Sequence, residues 1–227
     1  MIEKKHLNVM NHMISAVEHL NEPWGIKDNK SRHIFMNDAA RLYTCTPPKF
    51  DLEGQYDYAF PTSWAEHSVD FVKHDRLTQQ ANKTVSVIET DYWYGSDHLE
   101  PYICDKIPIL DSTGVCAGTL WNVKRVKIIS PLIYIGEKDP SLLQTQYESG
   151  MFTEAEMDII FLLLRKMRTI EIANCLNLTV ETLDYRIKDM YRKCGILSRS
   201  QFEQYCRQLD LHNFVPQHLL KKGVLFI

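Results

Sequence analysis

Apolar positions along the chain repeat with two different periods, and the switch between them divides it. Leu7, Met10, Ile14 and Val17 share one stripe of a helix predicted over 4–21. That stripe either packs onto its own domain or pairs with a second copy. From Pro23 the texture changes to short strand-like runs, Trp24–Asp28 and His33–Asn37, joined by a turn at Asn29 to Ser31. Asp38–Tyr43 reads as a short helix that Asn37 or Asp38 caps, and 45–54, with Pro47 and Pro48, reads as loop. A longer helix follows over Trp64–Lys83, with Val69, Val72 and Leu77 among its apolar residues. Strands Thr84–Tyr94, Pro101–Leu110 and Val115–Val126 come next. Turn residues at Gly95–Asp97 and Asp111–Gly114 join them, which predicts an antiparallel meander.

Beyond Gly150 every period is helical. Thr153 is placed to cap a helix and Glu156 to close a capping box. Ile159, Ile160 and Leu162–Leu164 make that helix strongly apolar up to Lys166. Thr169–Leu176 gives a second helix with Ile172, Ala173 and Leu176 inward, then a turn at Asn177–Thr179. The third runs from Val180 to Cys194, with Val180, Leu183, Ile187, Met190 and Cys194 inside. Glu181, Asp184, Tyr185, Lys188 and Arg192 are left outside, with Arg186 beside them. Ser198–Leu209 makes a fourth helix. Two helices about a tight turn, the second with a charged and aromatic outer face, are the plan of a helix-turn-helix DNA reader. A major groove admits one such helix.

A net charge of −3 looks wrong for a DNA binder until it is divided. Residues 151–227 carry 11 Lys and Arg against 9 Asp and Glu, whereas residues 1–150 carry 15 against 20. The acidic excess therefore belongs to the first part alone, which favours two domains of different character. The 6 cysteines are scattered without a C-x-x-C pair, and the histidines show no H-E-x-x-H, so buried thiols are expected and the local sequence writes no metal site. No phosphate-binding glycine loop, G-x-S-x-G or kinase signature argues for an enzyme. No apolar run is long enough to span a bilayer, and the start of the chain lacks a signal-peptide core, so a cytoplasmic protein is expected.

The order strand, strand, short helix, loop, helix and three antiparallel strands resembles a PAS domain over about residues 20–126. The residues that carry it are Gly25–Asp28, Ile34–Ala40, Leu52–Gly54 and the Asp111–Gly114 hairpin. The resemblance implies one sheet curled around a small cavity that is either packed or open to a ligand. Candidate lining residues are Phe35, Tyr43, Trp64, His74, Tyr92, Cys104 and Trp121. The flavin-binding cysteine motif of that family is absent, and a haem would need His67 or His74 as its axial ligand.

Thr153, Glu156, Leu162, Leu163, Glu171–Ala173, Leu176, Thr182, Lys193, Gly195 and Arg199 resemble, without a gap, the LuxR-type helix-turn-helix of bacterial regulators. The resemblance implies base reading by Tyr185 and Lys188 and backbone contacts from Arg186, Arg192 and Lys193, with Thr179 and Thr182 at the start of the reading helix. The helix-turn-helix spans Thr169–Lys188. Ala155, Lys166, Asp184 and Arg186 depart from the family pattern, Lys166 standing for a glycine and Asp184 for a DNA-contacting lysine. Asp184 either accepts from a cytosine amine or pairs with Lys188 one turn on.

These readings combine into an α+β protein: an amphipathic helix (1–22), a PAS-like sensor of antiparallel sheet and helices (23–126), a connector (127–150), an all-α four-helix LuxR-type domain (151–210) and an extension (211–227). The expected function is bacterial transcription regulation. Its partners would be double-stranded DNA, a second copy of the chain and an unidentified small effector, with no cofactor and no membrane. An anti-activator whose helix-turn-helix docks protein, and a haem or redox sensor, are the alternatives.

Overall fold

The structure, a computed structural model, describes residues 2–128, 141–147 and 150–227, with side chains described from residue 8. The chain forms two compact units, residues 1–126 with 221–227, and residues 127–220.

The first unit is a sheet of six antiparallel strands in the order β2-β1-β5-β4-β3-β8. These are β1 Trp24–Asp28, β2 His33–Met36, β3 Val85–Asp91, β4 Glu100–Leu110, β5 Cys116–Arg125 and β8 Gly223–Phe226. The meander is as the turns predict: Asp111 Oδ1 accepts from Thr113 N and Val115 N, and Gly114 takes a φ of 81°. Helix α1, Ile2–Val17, lies on one face. Met10 and Val17 are buried there with Ile26, Ile109, Ala117 and Leu120, so the stripe packs on its own domain. Leu7 is outside the described side chains. Gly118 makes the approach possible, since a Cβ there would stand 2.0 Å from the Lys27 carbonyl oxygen and 2.7 Å from Met10 Cε.

Of the two possible caps for α2, Asp38–Tyr43, the structure uses Asn37. Its Oδ1 accepts from Ala40 N at 2.9 Å and Trp24 N at 3.1 Å, while its Nδ2 donates to the carbonyls of Val17, Leu20 and Glu22. One buried amide thus ties the end of α1 to β1 and α2.

On the other face the helix predicted over 64–83 is two pieces, a 3₁₀ turn Ser63–His67 and α3, Ser68–Ala81. Two of its aliphatic residues do not face the sheet: Val69 is 78% exposed and Leu77 is 37% exposed. Phe71, His74, Asp75 and Thr78 are buried instead. The physical reason is electrostatic. Strands opposite α3 present lysines, so a charged face turned inward finds partners there that an apolar face would not.

The extension beyond 210 divides. Leu211 and Phe214 enter the core of the second unit, whereas Gly223–Phe226 forms β8 against β3, pairing Val87 with Phe226 and Thr90 with Gly223. An edge that would otherwise expose unpaired backbone is thereby covered.

In the second unit, α4 Glu154–Leu164, α5 Thr169–Cys175, α6 Val180–Cys194 and α7 Arg199–Gln208 surround Ile159, Ile160, Leu163, Ile172, Leu183, Met190 and Phe202. The stretch expected as a connector contributes a two-stranded ribbon, β6 Lys127–Ile128 with β7 Ser141–Leu142, while the regular elements of 151–210 are the four helices expected there. The rest of that stretch, with Pro131, Gly136 and Pro140, lies outside the described residues apart from 143–147 and Gly150. Among the described residues no helix is long and apolar enough to cross a membrane.

Candidate functional site

Between α2, α3 and the sheet lies a cavity with about 40 Å³ open to the centre of a water molecule. One water needs roughly 10–15 Å³ by that measure, so the space suits a few waters or one small ring compound. Tyr43, Trp64, Trp93, Trp121 and Phe71 supply aromatic walls, and Lys27, His33, Asp57, Glu89, Cys104 and Lys106 supply the polar ones. Trp121 lies flat on β1 only because residue 25 is glycine: a Cβ there would stand 2.3 Å from the indole.

The polar wall is a buried network. Lys27 Nζ donates to Asp57 Oδ1 at 2.6 Å and lies 3.4 Å from Asp75 Oδ2. Lys106 Nζ donates to Asp75 Oδ1 at 2.6 Å and to the Phe71 carbonyl at 2.9 Å. Thr119 Oγ1 also donates to Asp75, so that one carboxylate pins α3 to β1, β4 and β5. Burial alone would lower the Lys27 ammonium, but Asp57 and Asp75 hold it above the ordinary lysine range. Burial likewise opposes the Asp57 and Asp75 carboxylates. Lys27 overcomes it at the first and Lys106 with Lys27 at the second, and both fall below the usual range. His33 is pushed down by burial and then by Lys27, so its ring is neutral and Nε2 donates to Asp57 Oδ1 at 2.9 Å.

Among the described residues, three that line the cavity keep a buried polar atom without a protein partner: Tyr43 Oη, His33 Nδ1 and Trp121 Nε1. Two are donors and the neutral histidine nitrogen is an acceptor. Such atoms are costly to leave unpaired, and a flat molecule with complementary edges would satisfy them.

Of the lining residues expected from sequence, Tyr43, Trp64, Cys104 and Trp121 reach the cavity. Phe35 does not, because it packs with the α1 cluster on the opposite face of the sheet while Met36 faces the cavity. Tyr92 is 44% exposed beyond the end of β3. His74 is buried behind the lining residues. Sequence reading missed Lys27, His33, Asp57, Glu89 and Lys106. The signal was strand parity: Glu89 is in phase with buried Val87, and Lys106 with Tyr102 and Cys104.

The second candidate face is the outer side of α6. Thr179 caps it, accepting from Thr182 N, and its hydroxyl donates to Thr182 Oγ1. Leu183, Ile187 and Met190 are buried beneath, while Glu181, Thr182, Asp184, Tyr185, Lys188, Arg192 and Lys193 are exposed and Arg186 is half-buried. Among the described residues, the ion pairs of α6 join Arg192 to Asp189 and Lys193 to Glu156 and Asp189, none of them using Asp184 or Lys188. Lys193 Nζ at 2.5 Å from Glu156 Oε1 locks α6 to the capping box of α4. Arg199 is a similar clamp, donating to the Leu163 and Met167 carbonyls at the end of α4. Lys166 takes a φ of 63°, the left-handed region that favours glycine, and its ammonium meets Glu203.

No protein-family model and no curated protein matches this chain. Among solved structures it overlays on VqmA of Vibrio cholerae in a complex with ligand and DNA. That match has 22% identity and a TM-score of 0.75, over 95% of this chain and 96% of that one. It overlays also on phage VqmA in a complex with DPO, with 21% identity and a TM-score of 0.74 over 100% of both chains. Over nearly all of its length the chain thus has the fold of these VqmA structures, an antiparallel sheet domain followed by a four-helix domain.

Proposed function

We propose that the chain is a cytoplasmic transcriptional regulator, not an enzyme, that reads double-stranded DNA with the outer face of α6. The observation that carries this reading is the exposed face of Tyr185 and Lys188, mounted on a buried apolar support. Tyr185 and Lys188 meet base edges. Arg186 and Arg192 hold phosphates, and Thr179 and Thr182 sit where the helix N-terminus approaches the backbone. Lys193, engaged by Glu156, serves the domain first and phosphate second. Binding two half-sites calls for a homodimer, because linkage raises the effective concentration of the second contact.

The cavity is the control point. Its aromatic walls and its unpaired Tyr43, His33 and Trp121 atoms suit a small, flat, polar metabolite. DPO, held by the phage VqmA structure, is the first compound to try. Selection of bound sequences from a random duplex pool, with and without DPO, tests both parts. Enrichment of a two-fold symmetric motif that Lys188→Ala abolishes supports the reading. A pool that stays random at low salt overturns it, and melting curves show separately whether DPO binds.

A further inference from the structure

Behind the cavity wall, three elements bring three different metal-ligating side chains together: His74 on α3, Glu89 on β3 and Cys104 on β4. One donor atom of each lies within 4.8 Å of the other two, and all three residues are buried. Register explains the meeting. Cys104 is paired with Val87, so Glu89 is its diagonal neighbour on the same face, and α3 lays His74 over both.

The histidine is held as a ligand would be. Its Nε2 donates to the Val85 carbonyl at 2.8 Å, which leaves Nδ1 with a free lone pair, buried and without a partner. A backbone carbonyl on the far ring nitrogen is a common way to orient a metal-bound imidazole. The charges also balance, since one divalent cation neutralises a carboxylate and a thiolate in a place where a net charge would be costly. Tetrahedral bonds of about 2.0–2.3 Å put donor atoms roughly 3.3–3.7 Å apart, so the side chains need close in by only about an ångström. Glu89 and Cys104 line the cavity and His74 does not, so a cation held by all three would turn its remaining position toward the cavity.

We propose that His74, Glu89 and Cys104 bind a zinc-class divalent cation in the cavity wall, with a fourth position open to water or to a nitrogen or oxygen of the cavity's occupant. The mixed N, O, S donor set suits a borderline-soft ion better than magnesium or calcium.

Titration of the full-length chain with Co²⁺, without DNA, tests this. One equivalent should bind and give a thiolate-to-cobalt absorption band, which Cys104→Ser removes and Glu89→Gln weakens at least tenfold in affinity. The other described cluster, Glu66, His67 and Asp91, offers no sulfur and cannot give that band. Should Cys104→Ser fail to fold, zinc-edge X-ray absorption of the unaltered protein decides. A shell of one sulfur with nitrogen and oxygen supports the site, and a shell with no sulfur or with two or more overturns it. Absence of the cobalt band at saturation, or its survival in folded Cys104→Ser, also overturns it. Failure to bind DNA leaves each readout intact.

Discussion

Lys27 Nζ stands 2.6 Å from Asp57 Oδ1, and both side chains are almost wholly buried. Removing one member of such a pair strands the other in a low-dielectric interior. Asp57→Ala should therefore cost about 3–5 kcal/mol in urea denaturation, since Lys27 keeps only the longer contact to Asp75. Lys27→Met combined with Asp57→Leu should cost less than Asp57→Ala alone. A loss below about 1 kcal/mol for the single variant would show that water reaches the pair.

The same network sets the response to acid. His33 is neutral when folded, its affinity for protons lowered by burial and Lys27, so the unfolded chain binds more protons once pH drops below about 6.5. Stability is complete above that value and declines beneath it. Asp57 and Asp75, also depressed, add a steeper loss from about pH 3.9 downward. Lys27, raised, keeps its contribution through neutral pH and loses it only in strong alkali. Melting temperatures measured with a chelator should fall in two stages, and His33→Gln should flatten part of the first, the rest belonging to His74, which burial and Lys106 push down to about 3. A melting temperature constant from pH 7 to 4.5 would contradict the burial of a neutral His33.

Asn37 donates to three carbonyls and accepts from two amides. Asn37→Asp preserves shape and cap while turning carboxylate oxygens toward those carbonyls. It should cost at least about 2 kcal/mol, given that each buried hydrogen bond contributes about 0.5–1.5 kcal/mol and a buried unpaired acceptor costs more. Hydrogen exchange should quicken at the end of α1 first. Equal stability of Asn37→Asp and the native protein would mean that the amide is not the tie.

What was legible in the sequence follows from which forces are local. Helix α6 and its cap Thr179, the meander, and α2 all have boundaries set by period, turns and capping residues within a few positions, and all were readable. The inward face of α3 was not. Asp75 is buried because Lys27 and Lys106 lie on strands 48 and 31 residues away in sequence, and no local pattern encodes that. Strand β8 is hidden in the same way, its partner β3 lying more than a hundred residues earlier. The metal-ligand cluster has the same origin, three donors that share no spacing and meet only through register.

Lys166 gives a separable test of backbone strain. At a φ of 63° a side chain costs about 1–2 kcal/mol that glycine avoids. Its ammonium, on the exposed side of the pair, meets a buried Glu203 that Arg199 also holds, so both variants are compared without that pair. Lys166→Gly should be more stable than Lys166→Ala by about 1 kcal/mol, both variants lacking the ion pair. Equal denaturation midpoints would place residue 166 outside the left-handed region.

The reading face of α6 makes the last prediction, and it separates residues that charge alone would group together. Lys188 is exposed and, among the described residues, outside every ion pair, whereas Lys193 is engaged by Glu156 and Asp189. Lys188→Ala should weaken specific DNA binding by tenfold to a hundredfold, the equivalent of roughly 1–3 kcal/mol, with melting unchanged. Arg186→Ala should instead flatten the salt dependence of affinity by about one unit of logarithmic slope, the signature of a lost phosphate contact. Lys193→Ala should lower the melting temperature of the domain, because it releases the lock between α6 and the capping box of α4, while the folded fraction keeps most of its affinity. Fluorescence anisotropy at several salt concentrations, beside calorimetric melts, reads all three. Were Lys193→Ala to abolish binding with no change in melting, and Lys188→Ala to do nothing, the helix would be meeting DNA through its C-terminal end rather than through the face proposed.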